Sequence, residues 1–447
     1  MPQIKNVMRK RLIVLRPKSI VSILFISMIL TIYPDTVLGF QNIQQQTSFK
    51  EYKGEILNKD TKKALVFATL SIENTNVSTV SNTEGEFALK VPNTIAEGNV
   101  IISFLGYRTQ TIALAQFTKD YNKIYLEESP FELTGVDLNA PKDARALVIE
   151  TLKKKGENYF DDPTLMTAFY RETIKRRRKN VSLSEAVVNI YKTPYDSKSK
   201  DAMQLYKARK STDYSRLDTV ALKLQGGPYN ALLVDIMKYP EYIFTEGTIK
   251  DYDFSFERTT RENERLLYVI GFEQKATVAE PMYKGKLYID ADMQILKSAV
   301  YSLNITDKDI ASKMFVRKKP RNANVYPTEV AYRVDYREKN GKWYYGYSNV
   351  LLEFKINWDK KLFNSVYSMT CEMAVTDWEK NLAGKLPKSK ERIKTSIILS
   401  DEALGFSDPD FWGEFNIIEP EKSIESAIRK IQRQLKKAKD SGSASKP

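Results

Sequence analysis

The chain has 447 residues and a formal net charge of +14, and it contains one cysteine and no histidine. The absence of histidine excludes serine–histidine and cysteine–histidine catalysis and histidine-ligated zinc, which leaves carboxylate, lysine or tyrosine chemistry. The single cysteine, Cys371, excludes disulfides within the chain, so the fold depends on its hydrophobic core.

The first 39 residues have the pattern of a secretory signal peptide. Six basic residues up to Lys18 precede an apolar run, residues 20–32, and residues 37–39 offer a cleavage site. The run is shorter than the roughly 20 residues of a bilayer span, and an uncleaved N-terminal anchor is the alternative. The pattern predicts export to the periplasm, the outer membrane or the cell surface. No second long apolar run follows, so no transmembrane helix is expected after the signal, and a nucleic-acid partner is not expected either.

The next segment has the texture of a small antiparallel sandwich. Residues 40–50 are rich in glutamine and predict a flexible N-terminus of the mature protein. Over residues 66–73 and 86–91, apolar and polar side chains alternate with the period of a β-strand. Between such runs, Thr83-Glu84-Gly85 predicts a hairpin turn, because glycine readily adopts a positive φ.

Four segments within residues 51–127 occur in a recognisable order. They are residues 54–56, 64–72, 82–87 and 101–107, which read GEI, ALVFATLSI, NTEGEF and IISFLGY. In this order they resemble the carboxypeptidase-regulatory-like domain, which implies a transthyretin-like sandwich of seven strands. The family pattern usually has a proline before the second segment, where this chain has Lys63-Ala64. That domain is non-catalytic and takes its name from neighbouring metallocarboxypeptidases, whose zinc site requires the histidine that this chain lacks.

A larger β-rich domain is predicted over residues 142–415, after a linker at residues 128–141. Helical spacing from Ala144 to Leu152 predicts a helix that ends at Gly156, and residues 229–237 predict a second, shorter helix. Most other segments from 166 to 400 have strand character, and Asn340-Gly341 predicts a tight hairpin. We therefore expect a mainly β protein, in which the sandwich precedes a large curved antiparallel sheet with a few helices, similar to a half-barrel.

Three segments of this domain carry a further resemblance. Residues 169–172, 185–191 and 285–290 read FYRE, EAVVNIY and GKLYID. Together they resemble a group of Gram-negative envelope proteins in which a regulatory-like sandwich precedes a domain of unknown function. Apolar spacing over residues 416–440 then predicts a C-terminal amphipathic helix, followed by a disordered tail at residues 441–447.

Two groups of residues are candidates for ligand or surface contacts. Arg176, Arg177 and Arg178 form the densest basic run, which could bind an anionic surface; a solvated hairpin tip is the favoured alternative. The aromatic residues Trp343, Tyr345 and Trp412 could form a carbohydrate platform; packing within the fold is the favoured alternative.

Carboxylates offer the remaining route to catalysis or metal binding. Glu172, Glu185 and Asp235 could supply an acid–base pair of the kind that glycoside hydrolases use, although the sequence does not set their separation. Asp290 and Asp292 could bind calcium, but no run has the spacing of a calcium loop, and turn and cap roles are favoured. We expect no catalytic residue, no metal site and no cofactor.

Three functions remain open. The first is a non-catalytic binding or assembly protein of the cell envelope, whose partner is an envelope protein, such as an outer-membrane barrel, or a polysaccharide. The second is a carrier or sensor of an apolar ligand held in the half-barrel-like domain, which requires an open cavity on an apolar sheet face. The third is a polysaccharide-active enzyme with two carboxylates in one cleft.

Overall fold

The computed structural model describes eight stretches of the chain. They are residues 49–129, 143–177, 179–212, 226–262, 265–315, 321–359, 364–405 and 411–421. The predicted signal peptide, most of the flexible N-terminus and of the linker, and the C-terminal helix and tail beyond residue 421 lie outside the described residues. The described part is mainly β, as predicted, and its large sheet is curved and does not close into a barrel.

The N-terminal strands form the predicted seven-stranded sandwich. One sheet has the order β4-β1-β7 and the other has the order β3-β2-β5-β6. The strands are β1 (Phe49–Asn58), β2 (Thr69–Ile72), β3 (Ser78–Val80), β4 (Glu86–Pro92), β5 (Asn99–Ser103), β6 (Gln110–Ala113) and β7 (Asn122–Leu126), with a 3-10 turn at Leu114–Gln116. Between the two sheets, Ile56, Leu70, Phe87, Val100 and Ile102 are fully buried.

The turn before β4 connects the two sheets of the sandwich. Gly85 has the expected positive φ of 78°, and its amide donates to the carbonyl of Asn82 at 3.0 Å. The prediction of a hairpin at this turn is wrong, because β3 pairs with β2 whereas β4 pairs with β1. A local alternation of polar and apolar residues predicts strands but not the strand with which each one pairs.

Eleven strands of the large domain form one sheet, in the order β11-β12-β13-β14-β15-β16-β17-β8-β9-β10-β18. All neighbours are antiparallel except β10 and β18. The strands are β8 (Thr164–Arg176), β9 (Lys179–Lys192), β10 (Ala202–Thr212), β11 (Tyr252–Glu262), β12 (Arg265–Gln274), β13 (Tyr283–Asp290), β14 (Leu296–Leu303), β15 (Ala323–Lys339), β16 (Lys342–Trp358), β17 (Ser365–Lys380) and β18 (Leu404–Gly405). Asn340 and Gly341 join β15 to β16 with φ values of 53° and 77°, which confirms the predicted tight hairpin.

Short helices accompany the sheet. They are α1 (Ala144–Lys153), α2 (Lys155–Asn158), α3 (Pro228–Leu232), α4 (Lys308–Phe315) and α5 (Leu399–Glu402), with 3-10 turns at Pro240–Tyr242, Ile249–Asp251 and Ser389–Glu391. Asp143 caps α1 by accepting from the amides of Arg145 and Ala146. The helix predicted over residues 229–237 is shorter than expected, because the following residues turn to bring Asp235 to buried partners on the sheet. No helix in the described stretches is both long and apolar enough to span a bilayer.

The two faces of the large sheet have different coverings. We call the face that carries Tyr170 and Met373 the helix-covered face, because α1 and residues 226–251 pack on it. The opposite, sandwich-covered face carries Phe169 and Ala374 and packs against the sandwich and residues 411–421. Successive strand residues point to opposite faces, so each strand contributes to both layers.

Residues 411–421, which we call the strap, cross the sandwich-covered face without forming a helix beyond the turns at 411–414. The sequence predicts a helix from residue 416, whereas residues 416–421 have no regular secondary structure. Asn416 binds the backbone of β4 through its side chain, and Pro420 lacks the amide that a helix interior needs. These contacts hold the strap between the two domains.

Candidate functional site

The strap joins the sandwich to the large sheet through backbone and side-chain hydrogen bonds. On the sandwich side, Asn416 exchanges two hydrogen bonds with the backbone of Lys90, at 2.7 and 3.0 Å. Thr79 donates to the carbonyl of Ile417 at 3.0 Å, and Asn82 donates to that of Glu419 at 3.1 Å. Because these bonds are buried or half-buried, water competes with them poorly. The sandwich is therefore attached at a defined position on the sheet.

A buried charged residue holds the strap on its other side. Arg171 of β8, which is 1% exposed, donates to the carbonyl oxygens of Ile418 at 2.7 Å and Glu419 at 3.4 Å. Trp412 lies 4.8 Å from the guanidinium of Arg209 and edge-on to Phe169. The strap thus covers charged side chains of the sheet and supplies the acceptors that they need.

These charged side chains belong to one row across the sheet. The strand register places the following residues side by side from β10 to β15: Arg209, Glu185, Arg171, Glu372, Asn349 and Arg333. Burial opposes ionisation of Glu185, but Arg171 and Arg209 outweigh it and hold the pKa of this carboxyl below its usual range. Glu372 lacks a comparable pairing, and burial raises its pKa to about 7. The row runs beneath the strap and ends at an opening between the domains.

That opening, which we call the interdomain cleft, has a volume of about 420 Å³. Its sandwich wall consists of outward-facing residues of β2 and β5, such as Ser71 and Ser103, and of the turn that follows β2. Its sheet wall is formed mainly by β14, β15 and β16. The volume lies within the range of small-molecule sites, and clefts of this kind are common between domains.

Arg333 marks the inner end of the cleft and is neutralised there. Its Nε donates to Asp335 at 2.8 Å, and Ser298 donates to the other oxygen of that carboxylate at 2.6 Å. The guanidinium of Arg333 also lies 5.8 Å from the ring of Phe67 and 5.7 Å from that of Phe104, both on the sandwich. This cation therefore bridges the domains while its charge is balanced.

Two further cations on β15 are not balanced in this way. Arg337 donates from Nη1 to Ser78 Oγ at 2.6 Å and to the carbonyl of Val375 at 2.8 Å, and Lys339 donates to the carbonyl of Thr75 at 2.8 Å. Within the described stretches, neither side chain has a carboxylate at ion-pair distance. Burial lowers the pKa of the Arg337 guanidinium. Both residues therefore add positive charge to the wall of the cleft.

Two polar groups in the same wall lack partners. The Nη2 atom of Arg337 and the Nε1 atom of Trp343 are enclosed and have no hydrogen-bond acceptor among the described residues. Trp343 is 4% exposed, and the cationic groups of Arg265 and Lys297 lie 5.9 and 5.7 Å from its ring. Enclosed donors without acceptors cost free energy, so an acceptor from a ligand or a water molecule would stabilise this wall.

Phe67 adds backbone strain at the cleft. Its φ is +65°, a conformation that bulky residues rarely adopt. The ring contacts Tyr347 of the large sheet, with centroids 4.8 Å apart. Strained residues of this kind persist where the surroundings determine them strongly, and they are frequent at ligand sites. The strain and the unpartnered donors occur in the same cleft.

Of the aromatic residues that the sequence singles out, one lines the cleft. Trp343 contributes to its wall, whereas Tyr345 is fully buried on the helix-covered face and donates to the carbonyl of Ala231. Trp412, which is 4% exposed, belongs to the strap and packs against Phe169 of the sheet. As placed, these rings are enclosed by protein, and their contact with a ligand stays a prediction.

The basic run occupies the turn between β8 and β9. Arg176 is the last residue of β8, and Arg177 is exposed with a φ of +55°. Arg178 lies outside the described residues. This placement agrees with the favoured alternative of a hairpin tip, and contact with an anionic surface stays a prediction.

The three candidate carboxylates lie in separate enclosures. Glu172 faces the helix-covered side, where burial raises its pKa to about 7 against a hydrogen bond from Tyr170. Glu185 lies on the opposite face, between two arginines. Asp235 lies in residues 226–251, the segment that covers the helix-covered face, and forms an ion pair with Lys192 of β9 at 2.7 Å. Because none of the three lines the interdomain cleft, they do not form an acid–base pair there.

The remaining candidates have structural roles in the described stretches. Asp290 accepts from the amides of Asp292 and Met293, which confirms a turn role for this carboxylate. No group of three metal-binding side chains occurs among the residues that the structure describes. Burial raises the pKa of the Cys371 thiol to about 12, so a reactive thiolate is not expected at neutral pH.

The helix-covered face is packed by the chain's own segments over much of its area. Apolar side chains of α1 and of residues 226–251 are buried against the sheet. They are Leu147, Val148, Ala231, Leu232 and Ile236. Tyr195 and Tyr336 donate to Asp235 at 3.1 and 2.9 Å and secure that segment. An apolar ligand in this region would have to displace well-packed side chains, which argues against the carrier hypothesis here.

Sequence reasoning missed the residues that distinguish the cleft. Arg337 and Lys339 lie in an ordinary alternating strand, and nothing in their neighbourhood shows that carboxylate partners are lacking. The positive φ of Phe67 was also not predictable from its own type. The one sequence feature that could have indicated the positive wall of the cleft is the close spacing of basic residues in β15, just before the Asn340-Gly341 hairpin.

Comparison with known proteins identifies the sandwich. Residues 52–136 match the family model of the CarboxypepD_reg-like domain, which is less than half of the chain. A search of curated proteins found no match.

Solved structures give only remote similarities. A DUF1329 family protein from Desulfovibrio piger is 9% identical, with a TM-score of 0.22, and the alignment covers 54% of this chain and 95% of that one. A putative outer membrane lipoprotein-sorting protein domain from Vibrio parahaemolyticus is 10% identical, with a TM-score of 0.25, and the alignment covers 56% of this chain and 97% of that one. TM-scores this low carry no argument about fold or function. What the comparisons establish is that residues 52–136 are a CarboxypepD_reg-like domain, which in this chain precedes a larger β-sheet domain.

Proposed function

We propose that this protein is a non-catalytic binding or assembly protein of the cell envelope, and that it engages its ligand or partner at the interdomain cleft. The observation that carries the proposal is the enclosed pair of unpartnered donors, Arg337 Nη2 and Trp343 Nε1, in the wall of a cleft of about 420 Å³. The residues that carry these donors line the cleft, and clefts lined by a few polar side chains are typical of binding sites.

The attachment of the two domains supports a binding role. The strap and the row of charges from Arg209 to Arg333 fix the position of the sandwich on the sheet, so the two walls of the cleft are held at a defined separation. A preorganised cleft loses less entropy when a ligand binds than one that must first assemble. In this proposal the CarboxypepD_reg-like domain has a structural role, because it forms one wall of the binding site.

The envelope location rests on sequence. The basic and apolar pattern of residues 1–39 predicts export, and the carboxypeptidase-regulatory-like resemblance is to domains of exported proteins. The non-catalytic character rests on the chain's lack of histidine and on the separate enclosures of Glu172, Glu185 and Asp235. An envelope polysaccharide or an outer-membrane protein is the class of partner that we propose.

A cleft-blocking experiment tests this proposal. Ser71→Trp and Ser103→Trp each place a bulky ring on the sandwich wall of the cleft, and Thr111→Trp on the exposed part of β6 is the matched control. The purified variants are incubated with outer membranes and with envelope polysaccharide, and co-sedimentation is measured. We expect the wild type and the control to be retained and the blocked variants to lose about tenfold in apparent affinity.

Two results would overturn the proposal. Equal retention of the blocked and control variants would show that the cleft is not the binding site. Turnover of peptide, ester or glycan substrates by the purified protein at enzymatic rates would show that the protein is a catalyst.

A further inference from the structure

The wall of the interdomain cleft has an excess of positive charge. The cleft is lined by five lysine or arginine side chains and by three carboxylates. The cations are Arg265, Lys297, Arg333, Arg337 and Lys339, and the carboxylates are Glu73, Asp335 and Glu338.

Pairing within the wall balances some of these charges and leaves others less balanced. Asp335 forms an ion pair with Arg333. Glu338 is exposed and accepts a hydrogen bond from the amide of Gly341 in the β15–β16 turn. Arg337 and Lys339 have only neutral hydrogen-bond partners, namely a hydroxyl and backbone carbonyls, although the charge of Asp335 also acts on Arg337. Arg265, at the mouth, forms a long ion pair with Asp290, at 3.8 Å.

The location of these charges increases their effect on a ligand. Arg337 is half-buried between the sandwich and the sheet, where few water molecules can screen its guanidinium. Charges of one sign beside low-dielectric walls focus their field into the opening of a cleft. The field of Arg337 and Lys339 therefore favours an anion over a neutral molecule of the same size.

Resting on the proposed function, we infer that the ligand of the interdomain cleft carries an anionic group, a carboxylate or a phosphate, which binds at the wall residues Arg337, Lys339 and Arg265. Arg337 and Trp343, whose enclosed donors lack acceptors, lie in the same wall, and an anion is the strongest acceptor for such donors. The volume of about 420 Å³ limits the bound part to a small anion or to one acidic unit of a larger molecule.

The test uses the full mature chain with defined probes. Sodium phosphate and sodium glucuronate represent the two anionic groups, glucose is the neutral probe, and sodium chloride keeps the ionic strength constant. Binding is followed by calorimetry and by the shift in melting temperature. We expect at least one of the two anions to bind the wild type and glucose to fail to bind; the anion that binds identifies the group.

Charge-neutralising variants locate the binding. Arg337→Gln and Lys339→Gln should each weaken anion binding by about tenfold, since each removes one charge of the wall. Arg108→Gln, an exposed arginine on the sandwich outside the cleft, is the control and should bind as the wild type does. Because Arg337 also bridges the domains, Arg265→Gln at the mouth is the second variant; it contacts no sandwich residue through hydrogen bonds in the described structure.

The outcomes separate this inference from the proposed function. Failure of both anions to bind the wild type, or equal binding by the wild type and all three cleft variants, would overturn the anionic ligand. If Ser71→Trp still abolishes retention on envelope material in that case, the cleft remains the binding site for a ligand of another kind. If retention is unaffected by Ser71→Trp, the proposed function itself fails.

Discussion

Arg171 donates a hydrogen bond from its buried guanidinium to the carbonyl oxygen of Ile418 at 2.7 Å, and so joins the large sheet to the strap that holds the sandwich. The same guanidinium forms an ion pair with Glu185 at 2.7 Å. One side chain thus connects the charged row of the sheet with the interdomain attachment. The stability of the ion pair and the position of the sandwich should therefore depend on each other.

Replacement of Glu185 tests this connection. Glu185→Gln leaves Arg171 and Arg209 buried without their shared carboxylate, and the loss of one partner from a buried pair costs about 3–5 kcal/mol. We expect the free energy of unfolding to fall by that amount in urea denaturation. Glu55→Gln removes the half-buried partner of the exposed Lys123 and should change the free energy of unfolding little. Equal effects of the two variants would contradict a special role for Glu185.

Asn416 should control the attachment of the strap to the sandwich. Asn416→Ala leaves the buried amide and carbonyl of Lys90 without their partners, at a cost of about 1–3 kcal/mol. We expect faster hydrogen exchange at Lys90 and in the strap, with little change in the core of the large sheet. Asn381→Ala, which removes hydrogen bonds in an exposed loop, serves as the control. Uniform acceleration over the whole chain would instead indicate a global loss of stability.

Glu372 should make the stability of the protein depend on pH. Burial raises the pKa of this carboxyl from 4.5 to about 7, although the neighbouring Arg171 opposes the shift. The folded chain therefore binds more protons than the unfolded chain between these values, and the contribution of Glu372 to the free energy of unfolding falls as the pH rises through this window.

The Glu372→Gln variant removes that dependence. We expect it to be more stable than the wild type at pH 8 by about 1–3 kcal/mol and to show no such advantage at pH 4. Chemical denaturation at a series of pH values measures the difference. Glu329→Gln, on an exposed part of β15, is the matched control. An advantage that stays constant from pH 4 to pH 8 would rule out titration of Glu372 as its cause.

The positive φ of Phe67 predicts an unusual order of stabilities. Both Phe67→Ala and Phe67→Gly lose the contact with Tyr347, but only glycine relieves the left-handed backbone conformation. Because that conformation costs roughly 1–2 kcal/mol for residues with a side chain, we expect the glycine variant to be more stable than the alanine variant by about 1 kcal/mol. Thermal unfolding compares the two, and the reverse order would show that the backbone is not strained.

Much of the fold could be predicted from local patterns. The alternation in β2 and β4 and the Asn340-Gly341 hairpin depend on residues close together in the chain, and each occurs as expected. The order of segments from Gly54 to Tyr107 likewise indicated the CarboxypepD_reg-like domain, because strand periodicity and turn residues can be recognised within short stretches of sequence.

The candidate site could not be predicted in the same way. Thr79 and Ile417 meet across 338 positions of the chain, and Arg337 and Ser78 across 259. No local pattern encodes such pairings, so the path of the strap and the interdomain cleft appear only in the folded chain. The sequence shows that residue 337 is an arginine. It does not show that Arg337 lacks a carboxylate partner, because that depends on which side chains pack around it in the folded chain.

The sequence by itself thus determined the composition limits, the sandwich and the succession of strands, because these follow from residue types and short-range periodicity. Tertiary structure decided where charge is balanced and where it is not. Glu185 and Glu372 are both glutamates on the two strands that flank β8, yet the first lies between two arginines and the second does not. That difference arises from burial and from the register of the strands, which are properties of the whole fold.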